Sequence, residues 1–179
     1  LALMQPRLEG VGSGGGRTVL LIDRSGSMAA TDDDEGRTRL ERAVIAAGDE
    51  VDRLHAGGLF ASSDNETMII TFADRAEIVQ PFTDSRQQLQ SALANITVTH
   101  GRSQLEDALN LSRVYSTNTD VEDSDRRAED PAALVLYSDG RLQDLEGLVL
   151  RGESLSFERI GTDAVDNVAV AHIAAERPF

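Results

Sequence analysis

The run Thr18-Val-Leu-Leu-Ile22 is apolar at nearly every position, which predicts a strand buried on both faces, as in a parallel sheet. A polar loop follows from Asp23 to Gly36. Leu40, Val44, Ala47, Val51 and Leu54 then recur at intervals of 4, 3, 4 and 3, the spacing of one apolar helix face. After a Gly- and Ser-rich connection from His55 to Asn65, Thr67-Met-Ile-Ile-Thr-Phe72 reads as a second strand. Asp74-Arg75 is a turn, and Ala76 to Gln80 a third strand that pairs with the second as a hairpin. Asp84 or Ser85 caps a helix running to Asn95. Ser103 begins another, with Leu105, Ala108, Leu109 and Ser112 on its buried face. Asn118 to Asp130, with six carboxylates and two Arg, is a solvated loop. Ala133-Leu-Val-Leu-Tyr137 is a further buried strand. A short helix is expected over Leu142–Leu150, a strand over Leu155–Ile160 and one more over Val168–Ile173.

Alternating strands and helices, with the most apolar strands buried, predict a three-layer α/β/α sandwich around a mostly parallel sheet with one antiparallel edge strand. The organisation reads as a Gly-rich linker over residues 1–16, a domain over 17–161, and a C-terminal strand or linker over 162–179 that leads toward a following domain. The linker holds a G-x-G-x-x-G match at Gly10, Gly12 and Gly15. A dinucleotide loop follows a strand and opens a helix, and this match does neither. The chain begins with Leu and shows no signal-peptide core, so it reads as a piece of a longer protein.

Charge narrows the partners. The formal net charge is −14, with 31 carboxylates against 17 basic residues, every one of them Arg. A field of that sign opposes nucleic acid and anionic lipid. The absence of Cys excludes disulfides, thiolate metal sites and thiol nucleophiles, and the absence of Lys excludes Schiff-base chemistry.

In such sheets functional groups gather beyond the carboxyl ends of the strands. There the sequence places Asp23-Arg-Ser25-Gly-Ser27-Met28, Ser138-Asp139-Gly140, and between them Gly101-Arg-Ser103. Asp23, Asp139, Ser25, Ser27 and Ser103 are hard oxygen donors with no imidazole or thiolate among them, a set suited to Mg²⁺ rather than Zn²⁺. Mg²⁺ takes six oxygens at about 2.0–2.1 Å and keeps several waters, so such a site retains a position for an incoming carboxylate.

These motifs resemble the von Willebrand factor type A domain, over roughly Arg17 to Gly161. The resemblance implies a metal-ion-dependent adhesion site. Ser25 and Ser27 ligate the cation through their hydroxyls, Asp23 and Asp139 contact it directly or through water, and Ser103 stands where the family has Thr. Ser lacks the methyl that stiffens χ1, which implies weaker metal affinity. The implied cofactor is Mg²⁺, or Mn²⁺ or Ca²⁺. The implied function is non-catalytic recognition of a protein ligand that offers Asp or Glu to the metal. The Gly-rich approach to the first strand, Gly36 to Arg42 and Asp166 to Val170 are similar to BatA-like aerotolerance-type bacterial proteins. That subgroup implies a membrane-anchored parent with this domain on the extracytoplasmic face. After Ile160 only 19 residues remain, fewer than the family's usual last helix, strand and helix need.

Several plainer readings compete. Asp23 as a phospho-accepting nucleophile lacks the second Asp of haloacid dehalogenases, since Ser25 stands there. A vestigial site on a structural domain is the other alternative. Ser103 with Glu106 fits a capping box. Arg24 and Met28 shape the loop. Asp32-Asp-Asp-Glu35 fails the EF-hand register because Arg37 falls where Gly is required, and so reads as a solvated acidic loop. His55, His100 and His172 have no ligand spacing. Because the domain is acidic, a partner's carboxylate is expected within a neutral or basic neighbourhood.

Overall fold

The computed structural model describes residues 16–32, 35–56, 65–117, 132–145, 148–150 and 153–161. Its strands are β1 (Arg17–Asp23), β2 (Glu66–Phe72), β3 (Ala76–Thr83), β4 (Ala133–Ser138) and β5 (Leu155–Arg159). Its helices are α1 (Arg39–Leu54), α2 (Arg86–Ala94) and α3 (Glu106–Thr117), with a 3₁₀ turn at Gly26–Ala29. The strands form one sheet in the order β3-β2-β1-β4-β5, parallel throughout except for the β2–β3 hairpin at one edge. The expected α/β sandwich with its antiparallel edge strand is the observed fold.

Alternation along the central strands sorts their side chains into two cores. Leu20, Ile22, Ile69, Val135 and Tyr137 face α1 and α2, meeting Leu40, Ala43, Ala47, Val51, Leu89 and Leu93. Val19, Leu21, Met68, Ile70, Phe72, Leu134 and Leu136 face the other way, onto Leu105, Ala108 and Leu109 of α3 and its lead-in. A strand covered on both sides has no polar face, which is why β1, β2 and β4 are apolar without alternation. On α1, Val44 is only partly buried and Ala43 takes the inward place. Thr38 caps this helix in a capping box with Glu41, and Ser85 caps α2.

Three expectations are corrected. The third strand runs past Gln80 to Thr83, because a register shift beside Pro81 lets an edge strand absorb a residue without an N–H. The helix expected at Ser103 begins at Glu106. Leu142–Leu150 is not helical among its described residues: Leu148 N–H donates to the Leu145 carbonyl, Gln143 N–H donates to the Ser103 carbonyl, and Asp144 accepts the Glu106 amide at the start of α3. The expectations for residues 1–15, 57–64, 118–131 and 162–179, the last strand included, lie outside the described residues.

Order reverses between β1 and β4. Chain leaving β1 passes through α1 to β2 on one side, whereas β4, reached after α3, lies on the other. Asp23 and Asp139 sit at the carboxyl side of this switch point, the place where such sheets open a crevice.

Candidate metal centre

Asp23 is the last residue of β1 and is fully buried. Its Oδ1 accepts the Ser25 amide at 2.9 Å. Its Oδ2 accepts two hydroxyls, Ser103 at 2.7 Å and Ser138 at 2.6 Å. Burial pushes its carboxyl above the usual carboxylate range, and the hydrogen bonds from Ser138, Ser103 and Ser25 only partly counter that. Among the described residues its hydrogen-bond donors are all neutral. The turn after β1 brings Ser25 Oγ and Ser27 Oγ within 3.2 Å of each other. Met28, in the same turn, is fully buried in the core under α1, and Arg24 pairs with Glu77 of β3 at 2.7 Å. Met28 thus anchors the loop to the core, and Arg24 ties it to β3.

Ser103 arrives from the opposite side of the sheet edge, on a loop tied down by backbone bonds. Thr99 N–H donates to Arg24 O, Gly26 N–H to Gly101 O, and Gln104 N–H to Ala73 O. The Asp74 carboxylate accepts the Arg102 amide at 2.7 Å. Gly101 lies in close approach to Asp74: a Cβ would lie 2.6 Å from Asp74 Oδ2 and 3.1 Å from its amide nitrogen, so the Asp74 carboxylate that holds the loop would have to shift. The capping-box reading of Ser103 does not hold. Its hydroxyl donates to Asp23, and the Glu106 amide at the start of α3 donates instead to Asp144 Oδ2 at 2.6 Å.

Asp139 follows β4 and is buried, but it meets a cation of the protein's own. Arg39 Nη1 donates to its Oδ2 at 2.7 Å, and the Arg141 amide donates to its Oδ1 at 3.1 Å. The same buried guanidinium reaches Asp32 Oδ2 through Nε at 2.9 Å and Nη2 at 2.8 Å, while Arg42 holds Asp32 Oδ1 at 3.1 Å. Asp32 therefore belongs to a partly buried ion network, which corrects its reading as part of a solvated acidic loop. Gly161 closes over this network with φ +120°, and a Cβ there would lie 3.2 Å from Asp32 Oδ2.

The structure thus joins Asp23, Ser25, Ser103 and Ser138 by hydrogen bonds, with Ser27 beside Ser25. Asp139 stands one residue beyond Ser138, held by Arg39. Ser138 is the residue sequence reasoning missed. Its signal was register: Tyr137 pairs with Ile22, so the next residue lies level with Asp23. His100 is exposed, and His55 sits at the other end of the sheet, 2.9 Å from Thr67 Oγ1. His172 lies outside the described residues.

The donor set fits a hard divalent cation. All of its groups are carboxylate or hydroxyl oxygens, and among the described residues no three His, Asp or Glu cluster into a charged cage. In this structure these oxygens hydrogen-bond one another, Ser25 with Ser27 at 3.2 Å and Ser103 with Asp23 at 2.7 Å.

Solved structures share this fold at low identity. BatB from Bacteroides thetaiotaomicron is 22% identical, with a TM-score of 0.59 over 80% of this chain and 65% of that one. An aerotolerance-related membrane protein from Bacteroides fragilis is 21% identical, with a TM-score of 0.51 over 73% of this chain and 57% of that one. The three N-terminal domains of the type V pili tip protein Mfa5 from Porphyromonas gingivalis are 18% identical, with a TM-score of 0.55 over 72% of this chain and 20% of that one. The chain therefore spans less than two thirds of each of these proteins. No curated protein sequence matches it. The family model of the von Willebrand factor type A domain matches residues 18–141, which take in all three loops of the site, and the chain belongs to that family.

Proposed function

We propose that this domain is a non-catalytic, metal-dependent protein-recognition module. Asp23, Ser25, Ser27, Ser103 and Asp139 would hold a divalent cation, Mg²⁺ or in its place Mn²⁺ or Ca²⁺. The bound ion supplies a Lewis-acidic position for an Asp or Glu of a protein partner. Asp23 provides the charge, and the Ser25 amide and the Ser138 hydroxyl fix its carboxylate. Ser25, Ser27 and Ser103 contribute neutral oxygens that leave the ion's charge largely uncancelled. Exposed Arg102 and Arg141, beside Ser103 and Asp139 in the chain, give the rim the basic character that an acidic partner needs on an otherwise acidic domain.

The observation that carries this reading is the fully buried Asp23 carboxylate, surrounded by hydroxyls and an amide. Burying a carboxylate without a cation is costly, and a divalent ion removes the cost. Thermal melting tests it. Mg²⁺ at 100 times its dissociation constant stabilises the fold by about 2.7 kcal/mol, or about 5–11 °C for a domain of this size. EDTA reverses the gain, and Asp23→Ala responds to neither. A wild-type melt indifferent to Mg²⁺, Mn²⁺ and Ca²⁺ would leave the vestigial reading, which the Arg39–Asp139 pair favours because that carboxylate already has a cation.

The fold shared with BatB and with an aerotolerance-related membrane protein supports placing the domain in a longer, membrane-anchored bacterial protein, on its extracytoplasmic face. The fold shared with a pilus tip protein supports recognition of other proteins. Pull-down from bacterial membranes with and without EDTA tests both: the partner is retained in Mg²⁺ and released by the chelator.

A further inference from the structure

Arg39 is the first residue of α1, where the helix dipole disfavours a cation, yet its guanidinium is buried. It is held on both sides by carboxylates, Asp139 at 2.7 Å and Asp32 at 2.8 Å, and Gly161 covers it from above. Asp32 is in turn balanced by Arg42. Among the buried groups around the site, then, Asp23 and Asp139 contribute two negative charges and Arg39 one positive, while the Arg141 guanidinium, 3.8 Å from Asp139, lies at the exposed rim and is not counted. Adding a divalent ion leaves one net positive charge, whereas without Arg39 the sum would be zero.

We propose that Arg39 is a resident counter-cation of the candidate metal centre, competing with the divalent ion for Asp139 and leaving the loaded site positive toward a partner's carboxylate. It is a positioning residue, acting through Asp139, and the inference rests on the reading of the site given above. Its consequence is that the protein trades metal affinity for ligand affinity: the ion is held more loosely, and an anion is drawn to it more strongly.

The test is calorimetric titration of the whole chain with Mg²⁺ at fixed ionic strength. The forms compared are the wild type, Arg39→Lys and the double variant Asp32→Asn/Arg39→Gln, which removes one charge of each sign from the buried network. The double variant binds Mg²⁺ on the order of tenfold more tightly, and at Mg²⁺ saturation it binds acetate more weakly. Arg39→Lys stays near the wild type. Damage to the fold would weaken the metal site, so tighter binding is a result that a merely structural role does not produce. If the double variant fails to fold, Asp32→Asn alone carries the test: Arg39, released from Asp32, commits to Asp139, so Mg²⁺ binds roughly threefold more weakly while the loaded site binds acetate more tightly. Damage to the fold does not produce that gain, and acetate binding that is unchanged or weaker overturns the proposal. Wild-type binding with unchanged or weakened binding by the folded double variant overturns the proposal alone. No Mg²⁺ binding by any form overturns it together with the function proposed above.

Discussion

Two buried carboxylates at one sheet edge have been settled in opposite ways. Asp23 is surrounded by neutral donors, so its charge is solvated by dipoles from an amide and two hydroxyls. Asp139, one strand over, is balanced by Arg39 within a network that includes Asp32 and Arg42. Burial raises the Asp23 pKa, which makes its ionised form a liability to the bare fold and an asset to a site that binds cations. Asp139 contributes to the fold as it stands. The contrast separates a carboxylate kept for a ligand from one shared with the scaffold.

Substitutions sharpen that contrast. Arg39→Ala has the largest expected effect, a loss of about 3–5 kcal/mol in denaturant unfolding, because it leaves Asp32 and Asp139 partly or fully buried beside an absent cation. Asp139→Asn costs less, about 1.5–3 kcal/mol, since Arg39 keeps Asp32. Asp23→Asn moves the other way. Measured at neutral pH in EDTA, it equals or exceeds the wild type in stability while losing the response to Mg²⁺. Loss of stability from both Asn variants alike would break the comparison.

Gly101→Ala displaces the loop that delivers Ser103, through the contact with Asp74, and costs about 1–3 kcal/mol. It lowers the Mg²⁺ response in melting and leaves the Arg39 network intact. The smallest effect serves as a control at the far end of the sheet. Burial lowers the His55 pKa, so its folded form resists protonation. Between its unfolded value of about 6.5 and the lower folded one, the unfolded state binds more protons. Stability is therefore complete above about pH 6.5 and declines as pH falls below it. His55→Gln flattens that limb in melts from pH 7 to 5 without altering the response to Mg²⁺.

Much of this was legible in the chain. Buried parallel strands announce themselves as unbroken apolar runs, and a hydroxyl pattern such as Asp23-x-Ser25-x-Ser27 is local enough to read directly. Arg39 was not legible. In Gly36 to Arg42 it looks like one of several Arg on the outer face of a helix, and its partner lies 100 residues away. Asp32 was hidden among neighbouring acids for the same reason. Ser138 required strand register, which no single segment contains. Among the described residues after Leu142, Gln143 N–H goes to the Ser103 carbonyl and the Asp144 carboxylate to the first amide of α3, long-range ties that an apolar periodicity does not reveal.

The slipped register beside Pro81 has a bearing on assembly. An exposed edge strand invites another chain to extend the sheet, but β3 carries a proline without an N–H and a slipped register beside it. That rim cannot template an uninterrupted ladder, so stacking of domains rim to rim is discouraged there.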